Sequence, residues 1–253
     1  MPAIILALLS ATSLLLAVGS ASASADKLLG IYAGFGSSSQ HYSGDVAGGG
    51  EEIDIEGDFD LSTKGNTLMY FALEHPVPVL PNVRLQRVDL ATRGNNVIVR
   101  DFDWLGATYV ASESVATNID IKQYDGIAYY ELLDNVVSLD LGLAARYIDG
   151  SIDVRSETAS GEANFKGVLP MVYGRARVDL PLSGFWLAAE GQGIGYDHHH
   201  IIDANAHLGW ESSIGLGVEA GWRMTQLKLG TIDDLDSADI RITGPYAALN
   251  YHF

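Results

Sequence analysis

The chain has no cysteine among its 253 residues. Disulfides, thiolate metal sites and cysteine nucleophiles are therefore all excluded. Positive charge is scarce: 15 Lys and Arg stand against 32 Asp and Glu, a formal net charge of −17. Nucleic acid is excluded as a partner on that balance, because phosphates are held by Lys and Arg. Beyond the first twenty or so residues there is no long apolar run, and nothing approaches the roughly 18–20 residues of a membrane-spanning helix. If the mature chain crosses a membrane, it does so as strands. Catalytic signatures are lacking too, with no G-x-S-x-G elbow, no H-E-x-x-H and no P-loop.

The long apolar run that does exist is at the start. Ala3 to Val18 form a predominantly apolar run, and small residues follow from Gly19 to Ala25. An h-region followed by A-x-A predicts a secretory signal peptide over 1–25, cleaved after Ala23 or Ala25. No Lys or Arg precedes it, a departure from the usual n-region. Residues 26–253 then form a single domain by length.

The other end of the chain sets the fold. Ala247, Leu249, Tyr251 and Phe253 alternate with Ala248, Asn250 and His252. Strict alternation marks a strand with a different environment on each face. These residues look like the C-terminal signal of bacterial outer-membrane β-barrels, which usually ends on Phe with another aromatic two residues earlier. Similar alternation recurs along the chain. The clearest case is Val137, Leu139, Leu141, Leu143, Ala145 and Tyr147 against Ser138, Asp140, Gly142, Ala144 and Arg146, the length of a tilted membrane strand. Three prolines between Pro76 and Pro81 predict a rigid turn, since none has an N–H for a ladder. Pro181 to Gly184 and Glu211 to Ser213 predict further short turns. Ser37 to Asn66 and Asp149 to Asn164 read as long polar loops, and Thr231 to Ser237 as an acidic one. Around Gln123 the parity slips. Ile240 and Ile242 are out of phase with Leu249 and Phe253, which predicts a bulge at Gly244-Pro245.

About ten strands result, with eight as the alternative count, and short turns alternate with long connections. The fold class is all-β: a closed antiparallel transmembrane β-barrel. Its apolar face meets lipid. The opposite face carries Glu74, Asp140, Arg146, Arg175, Arg177, Asp179, Glu190, Glu219 and Arg223, which are expected to face the lumen and pair across it. Ten strands enclose little more than side chains.

From Leu73 through the proline turn to Leu85, the chain resembles a family of small outer-membrane β-barrel proteins of Gram-negative bacteria. Tyr130 to Asn135, Leu139 to Leu143 and Gly244 to Phe253 are similar to it as well. The resemblance implies an integral outer-membrane location and the barrel fold, and it brings no substrate or catalytic residue.

His207 with Ser151 or Ser156 is a formal lipase-like set, and Asp197 with His198 a formal protease-like one; neither has an oriented triad. Carboxylates at every second residue from Asp54 to Asp60 do not match a calcium loop. His198, His199 and His200 are consecutive, so they do not converge on one metal. The sequence thus predicts a monomeric, non-catalytic barrel without cofactor or metal, with a structural or surface-interaction role. A narrow solute channel and a lipid-modifying or proteolytic enzyme are the alternatives. Expected partners are outer-membrane lipid and lipopolysaccharide, and the barrel assembly machinery through Ala247, Leu249, Tyr251 and Phe253.

Overall fold

The computed structural model describes residues 29–48, 51–62, 64–104, 106–230 and 235–253. The signal-peptide expectation for 1–25 lies outside the described residues. Among the described residues there are fourteen strands: β1 Gly30–Gly48, β2 Glu51–Asp54, β3 Leu61–Ser62, β4 Lys64–Glu74, β5 Asn82–Val97, β6 Phe102–Trp104, β7 Ala107–Tyr109, β8 Ser114–Asp134, β9 Val137–Arg155, β10 Ser160–Asp179, β11 Phe185–Tyr196, β12 His199–Glu211, β13 Leu216–Leu229 and β14 Leu235–His252. Ten of them (β1, β4, β5 and β8 to β14) pair in chain order, every pair antiparallel, and β14 returns to β1 to close the ring. Closure matters because a strand's N–H and C=O groups have no water partner in hydrocarbon, and a closed ladder leaves no edge.

The two ends of the barrel differ. At one end, β8 and β9 are joined through Asn135-Val136, β10 and β11 through 180–184, and β12 and β13 through 212–215. Gly215 lies at φ +81°, and a Cβ there would meet the His252 carbonyl oxygen at 2.0 Å. The proline turn between β4 and β5 is held by side chains where backbone donors are lacking. Asn82 Oδ1 accepts from His75 N at 3.0 Å, and Tyr130 OH donates to the Val79 carbonyl at 3.0 Å. Both chain termini of the barrel meet at this end, where Phe253 N donates to the Ile31 carbonyl. The opposite end carries the longer excursions: β2 and β3 lie on its rim, and β6 and β7 form a separate hairpin.

The structure departs from the sequence expectations in three places. The two long polar stretches are largely strand: β1 continues to Gly48, β9 reaches Arg155, and only 156–159 separates it from β10. Second, β8 keeps one register past Gln123; its irregularity lies between Glu131 and Leu133. Third, β14 has no bulge at Gly244-Pro245. Its pairing with β13 runs unbroken from Leu216↔Tyr251 to Leu229↔Ala238. Ile119, Ile121, Ile240 and Ile242 break the expected pattern because they point inward with the polar residues of their strands, into an apolar region of the interior.

Prolines within the ladder follow the same hydrogen-bond logic. Pro170 pairs with Ala145 on β9, whereas the pairing of β10 with β11 ends at Val172. Losing the N–H is tolerated where one neighbour has already fallen away.

Candidate functional site

Among the described residues the interior gathers buried charged side chains from several strands, and it has two storeys. Nearest the short turns it is ionic. Arg146, on β9, is 0% exposed and donates from Nε and Nη2 to the two oxygens of Asp125 at 2.7 and 2.8 Å. Its Nη1 lies 3.0 Å from Asp203 Oδ2, three strands away on β12. Arg223 reaches the same oxygen at 2.5 Å, and Thr225 Oγ1 donates to it at 3.3 Å. Asp125 also accepts from Gln192 at 2.9 Å and Gln86 at 3.4 Å. Two arginines and two aspartates are thereby joined across several strands.

A second network crosses the lumen beside it. Arg84 on β5 meets Glu190 on β11 at 3.5 Å, nearly the full width of the ring, and its guanidinium lies 4.2 Å from the centre of the Tyr70 ring. Glu190 accepts from Asn205 at 2.9 Å, and Asn205 Oδ1 is 2.7 Å from His207 Nδ1. Tyr70 and Asn250 both donate to Glu219 at 3.3 Å. Between these groups is a cavity of about 20 Å³, room for about one water molecule. Arg175 meets Asp140 at 3.5 Å, and Tyr129 donates to Glu74 at 2.9 Å. Arg177 binds Asp179 on its own strand at 2.6 Å and stacks on Trp186 at 4.4 Å.

The nine residues singled out in the sequence thus fall into several sets. Arg146 and Arg223 share Asp203. Arg175 and Asp140 form a direct cross-strand pair, and Arg177 and Asp179 a local one. Glu74, Glu190 and Glu219 each meet a different partner. Sequence reasoning missed Asp125, Asp203, Arg84, Gln86 and Gln192, which complete the networks. Their signal was available: Arg84 and Gln86 alternate with the outward Val83 and Leu85.

Above the ionic storey the lumen is apolar. Tyr42, Val88, Leu90, Val115, Val154 and Ile242 are buried together, and the outer connections add Ile53, Ile55, Phe59, Ile98, Phe102 and Tyr109. Phe102 stacks on Tyr109 at 5.0 Å, and Tyr109 OH donates to the Val154 carbonyl at 2.9 Å. The acidic turn from Asp54 to Asp60 is tied to this lid. Asp58 Oδ2 accepts from Asp54 N at 3.0 Å and from Arg100 at 3.0 Å.

The lipase-like set separates in space, whereas the protease-like pair stays together. His207 is buried between Ala188 and Gly221, while Ser151 pairs with Asp120 and Asn164 on other strands. Asp197 and His198 lie 3.5 Å apart at the outer rim, both largely exposed. His199 Nδ1 accepts from Gly230 N at 3.1 Å. Among the described residues no three His, Cys, Asp or Glu side chains are grouped to hold a metal.

Outside the barrel the order is inverted. Phe35, Phe71, Leu85, Leu143, Val172, Leu208, Trp222 and Leu249 are all exposed. A closed ladder with an apolar outer belt and charges within is stable in hydrocarbon and unstable in water. Fold and belt together define an integral outer-membrane β-barrel.

A known structure shares the architecture. The outer membrane protease OmpT of Escherichia coli matches with a TM-score of 0.55 at 11% identity, over 88% of this chain and 97% of that one. The transport unit of the autotransporter AIDA-I of Escherichia coli matches with a TM-score of 0.39 at 10% identity, over 91% and 92% of the two chains. The translocator domain of autotransporter NalP from Neisseria meningitidis gives 0.42 at 9%, over 88% and 87%. No family model and no curated protein matches. The first of these likenesses overturns the expectation of a non-catalytic barrel. A protein named as a protease shares this architecture, so the sparse sequence signatures do not exclude catalysis.

Proposed function

We propose that this protein is a monomeric outer-membrane barrel with a plugged lumen and a structural or surface-interaction role, its acidic connections presented outward. The reading includes membership of the small Gram-negative barrel family that the proline turn resembles. One observation carries it: arginine–carboxylate pairs cross the lumen, Arg84 to Glu190 and Arg146 to Asp203, with a one-water cavity beside them. Each unpaired charge in so narrow a space would be costly, so the pairs resist being parted by a passing solute. Outward-facing Leu249, Tyr251 and Phe253, with the last two rings 4.3 Å apart, support recognition of the last strand by barrel assembly machinery. The apolar belt supports outer-membrane lipid and lipopolysaccharide as its surroundings. The test is a liposome-swelling assay with small sugars, on protein shown folded by heat-modifiable gel mobility. Swelling no faster than protein-free liposomes is expected, and size-dependent swelling would favour the narrow-channel alternative.

A second reading, peptide hydrolysis at the outer mouth, is favoured by Asp197 and His198 at 3.5 Å there and draws on the fold shared with a protease. It predicts cleavage of an unstructured fluorogenic peptide that Asp197→Asn and His198→Ala abolish. Cleavage unchanged in both variants, or none at all, removes it.

A further inference from the structure

The apolar belt is not equally tall around the barrel. Climbing from the short-turn end, the outward residues of β9 are Val137, Leu139, Leu141, Leu143, Ala145 and Tyr147, and β10 matches them from Val178 to Val168. On β1 the outward series is Ile31, Ala33 and Phe35, and then turns polar at Ser37, Ser39 and His41. On β4, Leu73, Phe71 and Met69 give way to Thr67. On β5, Val83 and Leu85 give way to Arg87 and Asp89.

These three strands are neighbours, so the polar residues form one patch. Ser37 faces Thr67 across the first ladder, and Met69 faces Arg87 across the second. Depth is comparable on both walls. Six or seven residues in from the short-turn end, Ser37, Thr67 and Asp89 stand where Leu143, Val172 and Trp222 stand elsewhere, and those three are all exposed. With strands rising about 3.3 Å per residue and tilted about 40°, six outward residues span about 25 Å of membrane, and three span about 10 Å. Leu29, and Val79 and Leu80 in the proline turn, add one further step below, which brings the short side to about 15 Å.

The patch is polar and nearly neutral. Arg87 donates to both oxygens of Asp89 at 3.0 and 3.3 Å, and its guanidinium lies 5.5 Å from the centre of the Tyr124 ring on β8. Tyr124 is 6.2 Å from Tyr147, ring to ring, where the tall belt ends. Tyrosines at such a border are the usual mark of the membrane–water interface. A polar surface of balanced charge, continuous with that interface, suits a layer of lipid headgroups, which carry both hydrogen-bonding groups and charge.

We propose that the bilayer is thinned along β1, β4 and β5. There the headgroups of one leaflet, with their water, descend over Ser37, Thr67 and the Arg87–Asp89 pair, while β9 and β10 hold hydrocarbon of full thickness. A short apolar wall is accommodated by thinning the lipid beside it.

The absence of cysteine makes the test direct. Ser37→Cys and Val172→Cys each carry a nitroxide label at an exposed outward position, and the folded protein is placed in a phospholipid bilayer. Collision rates with oxygen, which concentrates in hydrocarbon, and with a water-soluble nickel chelate are compared. The nickel-to-oxygen ratio is expected to be several-fold higher at Ser37 than at Val172, with Thr67→Cys matching Ser37. Equal, oxygen-dominated ratios at both sites would show that hydrocarbon covers the patch and would overturn the proposal. A Ser37 label shielded from both reagents would show that protein covers it, and would overturn it equally.

Discussion

The two storeys of the lumen solve the same packing problem with opposite chemistry. Near the short turns, Arg146, Arg223, Asp125 and Asp203 fill the interior with charge, and each ion is compensated by a partner on another strand. Near the long connections, Val88, Leu90, Val115 and Phe102 fill it with hydrocarbon, under a lid made from the chain's own excursions. The ionic storey is closed by geometry fixed in the barrel wall. The apolar storey is closed by loops, and resembles the core of a small soluble domain mounted on a membrane barrel. The contrast teaches that burial does the filling in both storeys, while the ions add constraint on which strands lie opposite one another.

The largest effect expected is from removing an ion without its partners. Arg146→Ala leaves Asp125 and Asp203 facing each other in a closed interior and destabilises the barrel by about 3–5 kcal/mol, measured as a lower urea midpoint for loss of the heat-modifiable form. Next is the apolar storey. Phe102→Ala costs about 3 kcal/mol, near the low end for a buried aromatic. Because Phe102 belongs to the lid, the loss is read as faster protease cleavage of the outer connections with the urea midpoint of the barrel unchanged. A matching drop in both measurements would break the two-storey division. A smaller effect is expected where a pair is replaced whole. Arg84→Met with Glu190→Leu changes stability by no more than about 1 kcal/mol, provided that the ions specify the interior more than they stabilise it.

The smallest effect concerns pH at the outer rim. Hydroxyls of Ser156 and Thr158 donate to Glu113 and hold its carboxyl below the usual range. A depressed carboxyl contributes stability above the unfolded-state pKa and loses it as pH falls through the folded value. Glu113→Gln should therefore lower protease protection of the 156–159 turn slightly at neutral pH and flatten its acid-side loss, so that variant and wild type converge at low pH.

Much of the wall was legible, and the reason is visible in β9. Between Val137 and Tyr147 the lipid face is apolar and the inner face polar or small, so alternation reports orientation directly. The same rule misled at Ile119, Ile121, Ile240 and Ile242. In the upper storey the inner face is itself apolar, and the residues that looked out of phase are in phase with the core. Polar stretches such as Asp149 to Arg155 look like loop in sequence because strands that rise clear of the membrane have no lipid to demand an apolar face. The lumen was harder still. Alternation assigns a side chain to a face but not to a partner, and Arg84 meets Glu190 only because closure brings β5 opposite β11. Arg84, Asp125 and Asp203 carried the right parity; nothing local in the sequence marks the contacts they make.

The central claim, a lumen closed by its own side chains, is tested most directly by single-channel recording. The protein, folded in detergent and inserted into a planar bilayer, is predicted to leave the membrane silent under applied voltage. Discrete and reproducible conductance steps from protein verified as folded would contradict it. They would mean that ions find a path past Arg84, Arg146 and Glu190, making those residues the lining of a pore.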